Sequence, residues 1–412
     1  MIVKAPITTK HFSVDLPSSK SISNRVLIIN ALADNNSLTQ NLADCDDTNV
    51  LREWLVSRPD VIDIGAAGTA MRFSTALLSV LNETHVITGS ERMKQRPIKV
   101  LVDALRFLGA DIHYLENEGF PPLKILGSSD LEGGCVELDG NVSSQFISAL
   151  MLVAPYMKNG LELRLRNKVI SRPYINMTMS IMKDFGADVK WVDDNVLSVC
   201  SSKYLKRNYW IENDWSAASY WYEIMALNNT DKKIKLIGLK EDSIQGDAKV
   251  ADIFTYLGIS TTYENNDGIP VAVISKNGNK VDFLEYNFVN QPDLAQTVIV
   301  TCCMLDIPFR FTGLESLKIK ETDRIAAMIN EMSKMGYELK QTNDETICWN
   351  GNKCQTHNPV TIDTYKDHRM AMAFAPAALK TGMISVNDPM VVRKSYTGFW
   401  NDISQFGFEL IQ

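Results

Sequence analysis

No apolar stretch in this sequence approaches the ~20 residues needed to span a bilayer, which excludes an integral helical membrane protein. A C-x-x-C pair is also missing. The seven cysteines are scattered at 45, 135, 200, 302, 303, 348 and 354, so neither a disulfide framework nor a metal site is indicated, and reduced thiols are expected. Nor is there a surplus of positive charge. The formal net charge of −7 argues against nucleic acid as the main partner, because phosphate backbones select basic faces. Any anion binding must be local. The opening residues, MIVKAPITTKHFSVDLP, hold no apolar signal core and no Arg/Ser-rich transit segment. They alternate as a strand pair would, and the expected location is the cytoplasm.

What is present is the balance of a soluble globular protein, 45% hydrophobic and 22% charged. At 412 residues the chain is too long for one ordinary core, and two domains fit best. The chain also repeats itself. A helix-like stretch ending in Gly, then a strand, a polar turn and a second strand, recurs as RPIKVLVDALRFLGADIHYL, RPYINMTMSIMKDFGADVKWV, QGDAKVADIFTYLGISTTYE, KETDRIAAMINEMSKMGYELKQ and KSYTGFWNDISQFGFELI. Its glycines, Gly109, Gly186, Gly258, Gly336 and Gly407, are 77, 72, 78 and 71 residues apart. Each is expected just past a helix C-terminus, where a positive φ is cheap only for Gly. In the fourth copy Ile325, Met328, Ile329, Met332 and Met335 make one apolar face at helical spacing.

A second set of helices is apolar nearly all round and must be buried: SNRVLIINALA, GTAMRFSTALLSVL, SSQFISALMLVA, DWSAASYWYEIMAL, PDLAQTVIVTCCML and HRMAMAFAPAAL. Markers of their starts at Ser21, Thr69, Ser144, Ser216, Asp293 and His368 are separated by 48, 75, 72, 77 and 75 residues. Six units follow, three to a domain, and the first is short by roughly 25 residues between Asp47 and Gly65 when set against the others.

Buried helices leave orphan N–H groups at their starts, and their dipoles make those ends positive. Here each start carries small, polar or charged residues, and Arg96, Arg172, Lys320, Arg324 and Lys394 stand at or just before the starts of the amphipathic helices. In LPSSKSISNRVLIINALA, Lys20 and Arg25 frame one such start. Taken singly, each Ser or Asp reads as an N-cap and each cation as a solvated charge. Taken together, cations at corresponding points of several repeats suit small, multiply anionic ligands.

The motifs SKSISNR, GTAMR, RMKQRPI, DGNVSSQF, SRPYI, QGD, PDLAQT, KETDR and DHRMAM occur in that order. In this the chain resembles the 5-enolpyruvylshikimate-3-phosphate synthase family over essentially its whole length. The resemblance implies an α/β, two-domain enolpyruvyl transferase fold of six repeated units with buried parallel helices and outer sheets. Residues 1–18 would join 214–412 in one domain and 19–213 would form the other, with the two crossovers as hinges for domain closure. It implies phosphoenolpyruvate and shikimate 3-phosphate as substrates, no cofactor, no metal, and no nucleic-acid or membrane partner; a monomer is expected.

By the same resemblance, Lys20, Ser21, Arg25, Ser143, Ser144, Gln145, Ser171 and Tyr174 would hold shikimate 3-phosphate, with Asp293, Ser316 and Lys320 toward its hydroxyls. Phosphoenolpyruvate would meet Lys20, Gly68, Arg96, Gln145, Arg324, Arg369 and Lys394, and Thr69, Arg72 and His368 would stand behind these. The family's chemistry is an addition followed by an elimination, which needs one base and one acid. Asp293 would be the base for the 5-hydroxyl and Glu321 the acid for the methylene, with Lys20 assisting transfer to the leaving phosphate. Read from the residues alone, KETDR is equally a helix start with a Glu321–Arg324 pair at i,i+3.

The sequence departs from the family at Ser18, where Gly is usual, at Ala66 for Asn, at Phe73 for Pro and at Ser316 for Asn. Ala66 and Phe73 leave the response to glyphosate, the family's inhibitor, open. The missing stretch leaves a second reading, a catalytically impaired anion-binding homologue. The sister transferase acting on UDP-N-acetylglucosamine resembles this fold but has a loop cysteine that GSERMKQRPI lacks.

Overall fold

The structure, a computed structural model, describes residues 1–6, 11–33 and 39–412. Residues 7–10 of the opening stretch lie outside the described residues. The chain divides into two compact units, Met1–Pro17 with Glu212–Gln412, and Ser18–Ile211. Among the described residues no helix is long and apolar enough to cross a membrane.

One pattern, β-α-β-α-β-β, builds both units. In its clearest copy the strands Val61–Asp63 and Thr84–Thr88 run parallel, Val61 opposite Val86, because the helix Gly68–Val80 between them makes a crossover. The helix Lys99–Phe107 follows, and the hairpin strands Asp111–Tyr114 and Leu123–Leu126 close the sheet antiparallel. The same strand order holds in four of the five four-stranded sheets; in the fifth, Thr361–Ile362, Met383–Val386, Ile2–Lys4 and Glu409–Ile411, the opening strand of the chain stands where the last hairpin strand would be. The sixth has two strands among the described residues: Thr39–Gln40 and Tyr209–Trp210, paired parallel. This is the shortened unit. It keeps both helices, Lys20–Leu32 and Asp46–Ser57, and passes directly to Val61, so what it lacks is the closing hairpin.

The apolar helices are buried as their composition requires. In Trp215–Leu227 every residue except Ser216 is buried, and Trp221 packs between Phe12, stacked at 5.3 Å, and Phe406, edge-on at 5.9 Å. Such a helix satisfies its own backbone along its length, so only its ends need outside partners. The amphipathic helix Arg324–Lys334 turns Ile325, Ala327, Met328 and Met332 inward, together with two charged residues, Arg324 and Glu331.

Three expectations are corrected. The opening strands do not pair with each other. Ile2–Lys4 lies antiparallel between Met383–Val386 and Glu409–Ile411, whereas Phe12–Asp15 is parallel to Ile234–Ile237. Alternation reports one buried face, here Val3 and Val14, and says nothing about the partner. Gly258 does not end a helix: Val250–Thr255 stops earlier, and Gly258, at φ +87°, forms a bulge in the strand Leu257–Asn266. Asp293 lies in a 3-10 turn, Pro292–Leu294, ahead of the helix Ala295–Met304.

Gly127 shows how tightly a hairpin closes on a buried helix. A Cβ there would overlap the carbonyl oxygens of Leu78 and Leu81. Gly127→Ala is expected to lower stability by about 1–3 kcal/mol in denaturant unfolding; an unchanged midpoint would show that the strand end yields.

Candidate active site

In the unit Ser18–Ile211 the buried helices Lys20–Leu32, Gly68–Val80 and Ser144–Val153 bring their first turns together. Ser19 and Ser143 cap two of them, accepting from the N–H of Ile22 and of Gln145. The third start has Ala67 at the cap and no side-chain acceptor. Two guanidiniums gather there instead. A Cβ on Gly68 would lie 2.6 Å from Arg96 Nη1 and 2.7 Å from Arg72 Nη1, so the absence of a side chain is what lets both approach. Arg96 is buried, and its Nε has no hydrogen-bond partner among the described residues. Arg72 Nη1 donates to the Gly68 carbonyl at 2.8 Å, and its guanidinium lies over the Phe146 ring at 5.5 Å.

Arg25 is the deepest cation of this cluster, 3% exposed. Its Nε donates to Thr178 Oγ1 at 2.7 Å, Nη1 to the Ser21 carbonyl at 2.8 Å, and Nη2 to Ser148 Oγ and the Tyr174 carbonyl, each at 3.3 Å. All four acceptors are neutral. Phe73 lies beneath the guanidinium at 5.3 Å. Burial without a carboxylate beside it pushes the Arg25 group down to about 10. Lys20, by contrast, donates to Asp47 Oδ2 at 2.9 Å. Ser171, buried and left-handed at φ +54°, precedes the helix Arg172–Asp184, whose first turn carries Tyr174. Ser21, Thr69, Ser144 and Gln145 occupy the first two turns of their helices. Arg172 is turned away from this cluster, over the Trp191 ring at 4.1 Å.

In the other unit a different balance holds. Arg324, 2% exposed, reaches three carboxylates. Its Nε and Nη2 grip Asp367 at 2.7 and 3.3 Å, Nη1 donates to Asp293 Oδ1 at 2.9 Å, and Nη2 to Glu321 Oε2 at 2.9 Å. Burial alone would lower the Arg324 group, but Asp367, Glu321 and Asp293 outweigh it and hold the guanidinium above its ordinary value. Arg369 Nη2 donates to the second oxygen of Asp293 at 3.0 Å, and Lys320 Nζ stands 3.4 Å from the first. Asp293 is thus bracketed by three cations. Lys394 Nζ donates to the Lys366 carbonyl at 2.8 Å. His368 is buried at the start of its helix, Nδ1 3.7 Å from Asp367, and Ser316 lies in the 3-10 turn Glu315–Ile319.

Here the cations at the helix starts are matched by carboxylates. Lys320, Arg324, Arg369 and Lys394 share this region with Asp214, Asp247, Asp293, Glu321 and Asp367. DHRMAM and QGD hold Asp367 and Asp247, two carboxylates to which the motifs alone give no role. Asp367 is fully buried; it caps the helix His368–Phe374 by accepting from the Arg369 N–H at 2.9 Å while gripping Arg324. Asp247 accepts from Ser216 Oγ, and its other oxygen has no partner among the described residues. Burial, with the Asp293 charge adding to it, pushes Asp247 up to about 6. No spacing rule joins positions 43 residues apart such as Arg324 and Asp367; only an acid directly before a helix start hinted at the cap.

Repeated β-α-β-α-β-β units around parallel buried helices, with ionised side chains crowded at the helix starts, define the class: an enzyme-like α/β fold built to take small anions. Solved EPSP synthases from Acinetobacter baumannii share the fold, at a TM-score of 0.79 and 22% identity for one of them, covering 100% of this chain and 99% of that one. The EPSP synthase family model, 3-phosphoshikimate 1-carboxyvinyltransferase, matches residues 50–403. A 3-phosphoshikimate 1-carboxyvinyltransferase of Bacteroides fragilis is 52% identical over 407 residues, 99% of this chain and 98% of that protein. The same enzyme of Haemophilus influenzae is 35% identical over 440 aligned positions, covering 98% of each. The chain belongs to the EPSP synthase family.

Two outcomes follow. Asp367→Asn strips Arg324 of its bidentate partner and is expected to cost about 3 kcal/mol in denaturant unfolding; a loss under ~1 kcal/mol would show that Asp293 and Glu321 suffice. For Asp247 the folded group binds its proton more tightly than the unfolded one, so between about pH 4 and about pH 6 the native state holds the extra proton and stability falls as pH rises. Asp247→Asn is expected to flatten that slope in thermal unfolding, and an unaltered slope would contradict the assignment.

Proposed function

We propose that this chain transfers the enolpyruvyl group of phosphoenolpyruvate to the 5-hydroxyl of shikimate 3-phosphate and releases phosphate, a step of aromatic amino acid biosynthesis. The observation that carries the chemistry is the pairing of Asp293 and Glu321 on adjacent nitrogens of one guanidinium, each at 2.9 Å from Arg324. A base and an acid held on one rigid fork keep a fixed separation, which an addition followed by an elimination requires.

In the addition, Asp293 takes the proton of the 5-hydroxyl as its oxygen bonds to C2 of phosphoenolpyruvate, and Glu321 protonates the methylene carbon. The tetrahedral intermediate then loses phosphate, the methyl group returns a proton to Glu321, and the double bond is restored. Lys20 assists transfer to the departing phosphate. A general acid must hold its proton at the working pH, and a substrate anion that takes over Arg324 draws away the cation that opposes protonation of Glu321. Developing negative charge is met by cations already fixed in place.

Shikimate 3-phosphate is held by Arg25 with Lys20, Ser21, Ser143, Ser144, Gln145, Ser171 and Tyr174, and its ring hydroxyls by Asp293, Ser316 and Lys320. Arg25 supports this reading: among the described residues it is buried on neutral acceptors, which leaves its charge to be balanced by a ligand. Phosphoenolpyruvate is held by Gly68, Arg96, Gln145, Arg324, Arg369 and Lys394, with Lys20 shared and Thr69, Arg72 and His368 behind. The residues 1–18 with 214–412, and 19–213, act as the two domains of the family's closing motion. The enzyme works as a monomer in the cytoplasm.

Phosphate release from purified protein is expected only when phosphoenolpyruvate and shikimate 3-phosphate are supplied together. Release with UDP-N-acetylglucosamine as acceptor would point to the sister transferase, and none with either acceptor to a non-catalytic anion-binding protein. Glu321→Gln is expected to lower kcat by about 10²-fold or more while both substrates still bind. Unchanged turnover would remove Glu321 from the mechanism.

A further inference from the structure

We propose that Tyr365 and Glu331 form a latch that positions Lys394 and Arg324 by holding the backbone before the helix His368–Phe374 in a left-handed kink. The inference rests on the reading that these two cations bind phosphoenolpyruvate.

Tyr365 and Lys366 both have positive φ, +54° and +56°. Two consecutive non-glycine residues in that region are strained, and such strain persists only where surrounding contacts enforce it. The kink lies directly before Asp367. It turns the Lys366 carbonyl onto Lys394 Nζ at 2.8 Å, and it lets the Asp367 N–H donate to the Thr364 carbonyl at 2.8 Å while the Asp367 carboxylate grips Arg324.

What enforces the kink comes from the helix that begins with Arg324. Glu331 sits on the same inward face two turns on and is fully buried. Its Oε1 accepts from the Tyr365 hydroxyl at 2.7 Å; its Oε2 accepts from the Asp363 N–H at 3.0 Å and from Lys334 Nζ at 2.7 Å. A carboxylate in an apolar face is costly unless fully paired. Here three donors pair it, and two of them belong to the strained segment. One helix therefore grips the segment twice, through Arg324 at Asp367 and through Glu331 at Asp363 and Tyr365. If the chain relaxed at 365 and 366, the Lys366 carbonyl would swing off Lys394 and the Asp367 carboxylate would turn relative to Arg324.

Tyr365→Phe removes the latch hydroxyl and keeps the ring. In the two-substrate phosphate-release assay the KM for phosphoenolpyruvate is expected to rise about tenfold, while the KM for shikimate 3-phosphate stays near the unmutated value. Adding Lys366→Gly to Tyr365→Phe is expected to recover most of that loss, because Gly takes a positive φ without strain. Equal change in both KM values, no change in either, or no recovery in the double variant would overturn the latch. The unmutated protein is run alongside; if it shows no turnover, the activity reading fails on its own. The latch is then read by amide exchange at 367–369, expected to be faster in Tyr365→Phe and restored in the double variant. Unaltered exchange would overturn it.

Discussion

A helix buried on every side can satisfy all its backbone groups except those at its ends, and this constraint organises the rest of the molecule. Six such helices present orphan N–H groups. At five of the six starts a Ser or an Asp stands at or just before the first turn, in the persons of Ser19, Ser143, Asp214, Asp293 and Asp367. The sixth, at Gly68, has no side-chain cap and carries two arginines beside a residue with no side chain. The polar and charged groups at these starts are thus placed by the requirement that stabilises the core, and they stand on helices whose positions packing has already fixed.

The two units solve the problem of buried charge in opposite ways. In Ser18–Ile211, Arg25 rests on hydroxyls, carbonyls and an aromatic face, an arrangement that leaves its electrostatics incomplete. In the other unit Arg324 is saturated by three carboxylates. A saturated arginine gives geometric precision, because the planar fork fixes its partners relative to one another. An unsaturated one gives attraction for an incoming anion. The two clusters thus show these separate properties, one in each unit.

Much of the fold was legible because its signals are local. Two kinds of helix, distinguished by apolar periodicity, and glycines spaced by roughly one repeat mark the units directly; Gly109, Gly186 and Gly336 follow their helices with positive φ. Strand partners were not legible, since the alternation in Ile2–Lys4 and Phe12–Asp15 fixes a face and leaves the neighbour open. The same limit applied to the chemistry. Helix starts pointed to Lys20, Arg324 and Arg369, but the carboxylates that fix them, Asp47, Asp367 and Asp293, come from 27 to 76 residues away. Phe73, in sequence a departure that leaves inhibition open, is the ring under Arg25.

The opening strands have a consequence for how the chain is made. Ile2–Lys4 is bordered on one side by Glu409–Ile411, and Phe12–Asp15 pairs with Ile234–Ile237. During synthesis Ile2–Lys4 must wait for Met383–Val386 and Glu409–Ile411, hundreds of residues further on, before its sheet is whole. The segment Ser18–Ile211 suffers no such delay, because every strand of its three sheets lies within it. It can fold as an inserted domain while the rest of the chain is still being translated. The other unit, which takes strands from both sides of that segment, closes only once Glu409–Ile411 is available.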